Sequence, residues 1–86
     1  MWYLYLVRCV DNTLYCGITK DLQRRLSEHN GSKKGARYTS TRRPVVLEYQ
    51  EQLTESLGMA LKRERQIKKL SRKQKEQMIE KGKQNG

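Results

Sequence analysis

The chain of 86 residues carries 19 Lys and Arg against 9 Asp and Glu, a net charge of +10, and its length allows one domain. No apolar run approaches the roughly 20 residues of a bilayer-spanning helix, and no lipidation motif is present. The self-repulsion of so large a positive charge is tolerated most readily where a polyanion binds. Nucleic acid is therefore a better candidate partner than a membrane surface.

The two cysteines, Cys9 and Cys16, fall inside apolar runs typical of strands, where a thiol behaves as a small hydrophobe. No cluster of His and Cys surrounds them, so the sequence predicts neither a disulfide scaffold nor a structural zinc site. The N-terminal residues lack the basic leader and cleavage site of a signal peptide. We therefore expect a protein of the reducing cytoplasm.

The first predicted element is a β-hairpin. Residues 2–9 are aromatic and aliphatic, as in a strand that is buried on both faces. Asp11 and Asn12 are turn residues, and residues 13–18 form the returning strand. Gly17 lies inside that strand, where a missing side chain indicates the close approach of a backbone or a ligand.

A helix and a basic loop follow the hairpin. Thr19 and Asp21 are alternative N-caps for a helix over about residues 22–29, which Asn30-Gly31 ends. Residues 31–43 are small and basic, and they predict a loop with one helical turn.

The second half of the chain predicts one strand and two helices. Residues 45–49 form the third strand, and Thr54 caps a long helix that ends at about Leu70. Ser71 and Gln74 then make a capping box for a short terminal helix.

Gly82 is expected to end the terminal helix. Residues 1–80 are predicted to form one domain, and residues 81–86 are predicted to form a disordered tail. The predicted order is β-β-α-loop-β-α-α. This order indicates an α+β fold in which helices pack on a small three-stranded sheet.

Helical geometry places three polar side chains on apolar faces, because residues three and four apart lie on one side of a helix. His29 shares a stripe with Leu22 and Leu26, and Arg25 lies on its edge. Glu64 falls in the middle of the apolar face of the second long helix. All three point at the sheet, where an unpaired charge is costly.

Two interpretations of these side chains stay open. In the structural one, Arg25 and Glu64 form a buried salt bridge and His29 is a hydrogen-bonded core histidine. In the functional one, they act with Tyr5 and Tyr15 of the sheet. Together these residues meet the needs of phosphodiester hydrolysis, namely a metal ligand, a cation for developing charge and groups that handle protons.

The ordered set of these residues resembles the GIY-YIG nuclease superfamily, in particular its small single-domain bacterial branch. The likeness covers about residues 2–70, and it rests on the triplets Tyr3-Leu4-Tyr5 and Tyr15-Cys16-Gly17, on Arg25 and His29, and on Glu64. Tyr3 and Gly17 match structural positions of the two triplets. Residues 15–26 are also similar to the N-terminal incision domain of bacterial nucleotide-excision repair, which implies a role in DNA repair or recombination.

The resemblance implies a role for each site residue. Glu64 matches the single carboxylate that holds a divalent metal, Mg²⁺ or Mn²⁺, whose other ligands are water and phosphate. Arg25 matches an invariant arginine that suits the phosphate. Tyr5 and Tyr15 match two tyrosines, one of which deprotonates the attacking water, and His29 matches a position that assists proton transfer or binds phosphate.

Basic residues in and beyond the loop predict contacts with the nucleic-acid backbone, which give affinity without sequence preference. These residues are Lys33, Lys34, Arg37, Tyr38, Arg42, Arg43 and Lys68. A solvated surface loop is the alternative interpretation. Further Lys and Arg residues add a second basic surface along the C-terminal helices.

Three functions follow from these patterns. The first is a metal-dependent endonuclease that acts on DNA and is structure-selective or directed by a protein partner. The second is a binding module of the same fold that hydrolyses poorly or not at all. It is motivated by the altered first triplet, Tyr3-Leu4-Tyr5, and by the missing asparagine that many members of the superfamily carry after the glutamate; the residue twelve positions after Glu64 is Glu76. The third is a basic protein associated with RNA or the ribosome.

Overall fold

The computed structural model describes residues 1–31 and 37–85, apart from the side chains of residues 37, 38, 84 and 85. Its elements are β1 (Tyr3–Arg8), β2 (Leu14–Thr19), α1 (Leu22–Gly31), α2 (Arg37–Ser40), β3 (Val46–Gln52), α3 (Leu57–Lys68) and α4 (Arg72–Asn85). The predicted α+β class and order of elements are confirmed.

The three strands form one antiparallel sheet in the order β2-β1-β3. Tyr5 in the central strand lies opposite Gly17 of β2 and Gln50 of β3. At the hairpin turn, Asn12 adopts a left-handed φ of 72°, which asparagine tolerates better than most residues. Because β1 has a strand on each side and helices on both faces, its residues 4–7 are all buried, as the sequence predicted.

The two faces of the sheet carry different helices. On one face, Leu4, Leu6 and Cys16 pack with Ile67 of α3 and Ile79 of α4. On the other face, Val7, Cys9 and Val45 are buried together, with Leu26 of α1 and Tyr15 packed against them. Side chains alternate across a strand, so neighbouring residues of β1 belong to different halves of the core. We call the first face of the sheet, which packs against α3 and α4, the α3–α4 face, and we call the second the α1 face.

Helix α1 is held at both ends by side-chain hydrogen bonds. The carboxylate of Asp21 accepts from the backbone N–H of Arg24 at 3.0 Å, so Asp21 is the N-cap, and Thr19 instead accepts from the N–H of Asp21. At the other end, the Asn30 amide donates to the carbonyl of Val45 at 3.0 Å and accepts from its N–H at 2.6 Å. The start of the third strand is therefore fixed against the last turn of α1.

Two boundaries in the second half differ from the sequence prediction. The third strand extends through Gln52, three residues beyond the predicted end. Ser56, and not Thr54, is the N-cap of α3, since its hydroxyl accepts from the N–H of Met59. The Thr54 hydroxyl accepts from the backbone N–H of Ser56. Both hydroxyls therefore stabilise the turn that leads into α3.

The terminal helix begins as predicted but ends later. Ser71 and Gln74 exchange the two hydrogen bonds of a capping box, at 2.9 and 3.1 Å. Gly82 does not close the helix, because α4 continues to Asn85. Residues 81–85, predicted as a disordered tail, are therefore helical. An ideal Cβ at Gly82 would lie 3.5 Å from the Tyr49 ring, which shows how closely α4 packs on β3.

Both cysteines are free and buried, in agreement with the prediction that they pack as hydrophobes. Burial, and then the nearby Glu64 carboxylate, raise the pKa of Cys16 to about 11. Within the described ranges, no helix is both long enough and apolar enough to span a bilayer.

Candidate active site

A chain of hydrogen-bonded side chains is buried between the sheet and α1. The Tyr5 hydroxyl lies 2.8 Å from His29 Nε2, and His29 Nδ1 lies 2.7 Å from the Thr39 hydroxyl. Tyr5 is 3% exposed, and His29 and Thr39 are 0% exposed. Because both ring nitrogens of His29 have partners, the imidazole is held in one orientation and in turn orients the Tyr5 phenol.

The electrostatics of this chain favour uncharged groups. Burial, and then the positive charge of Arg25, lower the pKa of His29 to about 4. Burial raises the pKa of Tyr5 to about 12, even though a hydrogen bond from Arg25 acts in the opposite direction. At neutral pH the phenol is protonated and the imidazole is neutral.

Arg25 and Tyr15 complete the group on the α1 face. The Arg25 guanidinium hydrogen-bonds the Tyr5 hydroxyl, and its Nη1 donates to Glu28 at 3.1 Å. The Tyr15 ring meets the His29 ring edge-on, with centroids 5.3 Å apart, and lies 6.4 Å from the Tyr5 ring. Tyr15 is half-buried, whereas Tyr5 is enclosed. Of the two phenols, Tyr15 is therefore the better placed to meet solvent.

Gly17 is required by the position of the Tyr5 phenol. A Cβ built on Gly17 would lie 2.4 Å from the Tyr5 hydroxyl oxygen and 2.6 Å from the ring carbon that bears it. These distances are far inside van der Waals contact, so any side chain at this position would displace the phenol. The sequence predicted a close approach at Gly17, and the approaching group is a side chain and not a backbone.

Glu64 lies on the other side of the sheet. It stands between Ala60 and Ile67, the buried residues of α3, and therefore faces the sheet, as predicted. However, α3 covers the α3–α4 face, where the carboxylate helps to raise the pKa of Cys16. The structure thus gathers the two tyrosines, Arg25 and His29 on one face, but it does not bring Glu64 there.

The salt bridge of the structural interpretation is absent from the described part of the chain. Arg25 pairs with Glu28, and the Glu64 carboxylate lies 3.6 Å from the Lys68 ammonium, which is beyond hydrogen-bond distance. The other half of that interpretation holds, since His29 is a hydrogen-bonded core histidine. The same geometry makes it the residue that orients Tyr5.

The two halves of the candidate site lie on opposite faces of the sheet. Tyr15 and Gly17 face α1, and Cys16 between them faces α3. In the sheet order β2-β1-β3, the strand that carries these residues is an edge strand. Its outer rim, which we call the β2 edge, is bordered by the tyrosines on one side and by Glu64 on the other.

The residues present fit a metal held by a single carboxylate. Among residues 1–31 and 37–85, no three His, Cys, Asp or Glu side chains cluster in a way that could hold a metal ion. In that same part of the chain, Glu64 accepts no hydrogen bond and has Lys68 as its only ion-pair partner, with 17% of the side chain exposed. Mg²⁺ needs only one or two protein carboxylates, because water and phosphate complete its shell.

The predicted backbone-binding residues are dispersed. Arg42 pairs with Asp11 at 3.0 Å, and Arg43 donates to the backbone carbonyl of His29. Lys68 pairs with Glu64. Lys33 and Lys34 lie outside the described residues, as do the side chains of Arg37 and Tyr38, and their binding role stays a prediction.

Thr39 and Glu28 belong to the site but were not singled out from the sequence. Glu28 lies three residues after Arg25, the spacing at which side chains meet on a helix, so this contact could have been anticipated. Thr39 is one of three consecutive hydroxyl residues in the basic loop. Nothing in the sequence distinguishes it from Ser40 and Thr41.

Comparisons with known proteins agree with the geometry. Residues 1–77 match the family model described as the GIY-YIG catalytic domain. A UPF0213 protein of Staphylococcus haemolyticus is 53% identical over 78 residues, which cover 91% of this chain and 93% of that protein. A UPF0213 protein of Desulfotalea psychrophila is 50% identical over 78 residues, or 91% of this chain and 70% of that protein. The solution NMR structure of a UPF0213 protein from Bacillus halodurans has a TM-score of 0.57 at 38% identity and covers 93% of this chain and 84% of that chain.

Proposed function

The chain belongs to the GIY-YIG family, a nuclease superfamily, and on that premise we propose that it is a metal-dependent endonuclease that hydrolyses DNA phosphodiester bonds. One observation carries the proposal. Tyr5, Tyr15, Arg25 and His29, which come from three different elements, meet beside the β2 edge, where a phosphate can approach from solvent. A domain that only binds nucleic acid would not require phenols, an imidazole and a guanidinium to be grouped in this way.

Tyr15 is the residue that we assign to deprotonate the attacking water. Tyr5 is enclosed, and at a pKa of about 12 only about one phenol in 10⁵ is ionised at pH 7. Tyr15 is half-buried at the same face, less enclosed than Tyr5, and can meet a water molecule there. We assign Tyr5, His29 and Thr39 to positioning, and Arg25 to the charge that develops on the phosphate.

Glu64 is the residue that we assign to hold Mg²⁺ or Mn²⁺. When bound, such an ion acts as a Lewis acid on a phosphate oxygen and supplies an activated water. A phosphate lying across the β2 edge would face Arg25 and Tyr15 on one side of the strand and Glu64 on the other. Lys68, which lies 3.6 Å from the carboxylate, would then be free to contact phosphate.

The expected substrate is DNA chosen by structure or by a protein partner. Arg42, Arg43 and Lys68, with the basic residues of the loop, are suited to grip the backbone, and such contacts do not read bases. We also place the protein in the reducing cytoplasm, and the two free, buried thiols support this location.

The alternative is a binding module that hydrolyses poorly, and the position of Glu76 favours it. Where many members of the superfamily carry an asparagine, this carboxylate accepts two hydrogen bonds from Arg8, at 2.6 and 3.0 Å, and one from Arg72. These partners lower the pKa of Glu76 to about 2. A side chain so engaged serves to attach α4 to the hairpin.

The experiment is a cleavage assay on nicked, branched, flapped and single-stranded DNA with Mg²⁺ or Mn²⁺. Glu64→Gln, which keeps the shape but removes the charge, and Arg25→Ala should each lower the rate by at least 100-fold. Arg24→Ala is the matched control, because Arg24 is a neighbouring arginine with a side chain that is 68% exposed. Binding without cutting, unchanged in Glu64→Gln, would leave the module as the function.

A further inference from the structure

Most carboxylates of the chain lie close to a lysine, an arginine or the N-terminal amino group, which neutralises them locally. The acidic residues that lie within 4.0 Å of a cation are Asp11, Glu28, Glu48, Glu51, Glu55, Glu64 and Glu76. The net charge of +10 must therefore reside on the basic residues outside these pairs.

Four such residues lie along the outer side of α3 and in the first turn of α4. Lys62, Arg65, Lys69 and Lys73 are exposed, and none has an ion-pair partner among residues 1–31 and 37–85. We call this group the helical basic surface. On α3 its members lie on the side directly opposite Ala60, since a helix turns about 100° per residue. It therefore points away from the sheet, on the α3–α4 face.

The spacing of these cations suits a nucleic-acid strand. Lys62 and Lys69 are seven residues apart, which corresponds to about 10 Å along a helix axis. Over that distance one strand of duplex DNA presents about three phosphates. Lys62, Arg65 and Lys69 thus offer three positive charges to about three phosphates. A solvated helix of average composition would alternate the two signs of charge along this side.

We propose that the helical basic surface is a second nucleic-acid contact, which binds the phosphate backbone on the side of the domain opposite Tyr5, Tyr15 and Arg25. The domain measures 28 × 27 × 24 Å, and a straight duplex can lie along only one side of it. DNA that fills both contacts must turn around the β2 edge, so the preferred ligand is branched or sharply bent DNA. This preference rests on the proposed function, whereas the backbone contact itself does not.

The test measures binding without metal, in a Glu64→Gln background, so that cutting plays no part. The variant Lys62→Gln/Lys69→Gln should lower the slope of log affinity against log salt by about 2, since each lost phosphate contact removes about 0.9. It should also bind a three-way junction no more tightly than a linear duplex of equal length. Lys81→Gln/Lys83→Gln removes two positive charges from the far end of α4, one of which is paired with Glu48, and should keep the preference for the junction.

Amide chemical shifts in ¹⁵N-labelled protein locate the contact directly. Added junction DNA should shift the amides of residues 62–73 together with those of the β2 edge, and the double variant should lose only the first group. Shifts confined to the β2 edge and α1, or an equal fall in slope in both double variants, would overturn the proposal. Shifts of residues 62–73 with anionic phospholipid vesicles but not with DNA would also overturn it. In a separate assay, failure of the unmodified protein to cleave the same junction with Mg²⁺ while it still binds would count against the nuclease function alone.

Discussion

His29 is the only histidine in the chain, so its titration can be followed without ambiguity. Its pKa is about 4 in the folded protein, against 6.5 for an unperturbed histidine. Between these values the unfolded chain binds a proton that the folded protein does not. The free energy of unfolding therefore falls as the pH drops below about 6.5, and the loss is complete below about 4.

The size of the effect follows from the two pKa values of His29. One pKa unit corresponds to about 1.4 kcal/mol, so the full loss is about 3 kcal/mol. Between pH 7 and pH 5 the loss is about 2 kcal/mol. That is a large fraction of the roughly 5–15 kcal/mol that stabilises a typical domain. Urea unfolding at pH 7, 6 and 5 measures it.

The control for this prediction is His29→Gln, which removes the titrating group. We expect a variant whose stability at pH 7 is reduced, because Tyr5 and Thr39 lose their shared partner, but whose stability changes little from pH 7 to pH 5. The imidazole Cε1 proton of the unmodified protein should show no titration step near pH 6.5 by NMR. A step at that pH, or the same pH dependence in both proteins, would refute the argument from burial.

Three further predictions concern stability. Gly17→Ala places a methyl 2.4 Å from the Tyr5 hydroxyl and should cost about 1–3 kcal/mol in urea unfolding, whereas Gly31→Ala, with nothing within 4 Å of its Cβ, should cost nothing. Thr39→Val leaves the buried histidine without one partner and should cost about 1–3 kcal/mol; Thr39→Ser should restore most of it, and equal losses would show that the hydroxyl is unimportant. Arg8→Met removes two hydrogen bonds to the carboxylate on α4 and should cost about 1 kcal/mol, since the pair is partly exposed. Amide exchange along α4 should become faster, and unchanged exchange would contradict this attachment.

The grouping on the α1 face could be predicted because it depends on periodicities within single elements. Alternation along the strands puts Tyr5 and Tyr15 on one face, and helical spacing puts Arg25 beside His29. The face of the sheet that each helix covers depends on the path of the connections and on which apolar stripes fit together. For that reason helical periodicity can place Glu64 on the side of α3 that faces the sheet, whereas the face of the sheet that α3 covers cannot be read from the sequence.

The other differences between the sequence prediction and the structure arise where several nearby residues could play the same local role. Thr54 and Ser56 are both able to cap a helix, and the turn before α3 decides between them. Glycine usually marks the end of a helix, but α4 continues past Gly82 to Asn85 and packs against Tyr49 at this position. Thr39 lies ten residues from His29, and no spacing rule connects two residues across a loop.

The hydrogen bonds between Asn30 and Val45 have a consequence for how this fold can diversify. The side-chain amide of Asn30 imitates one rung of a β-ladder and holds the start of β3 against the end of α1. Residues inserted between Asn30 and Val45 would therefore leave the strand that begins at Val46 in register. The length of this connection can therefore change without rebuilding the sheet.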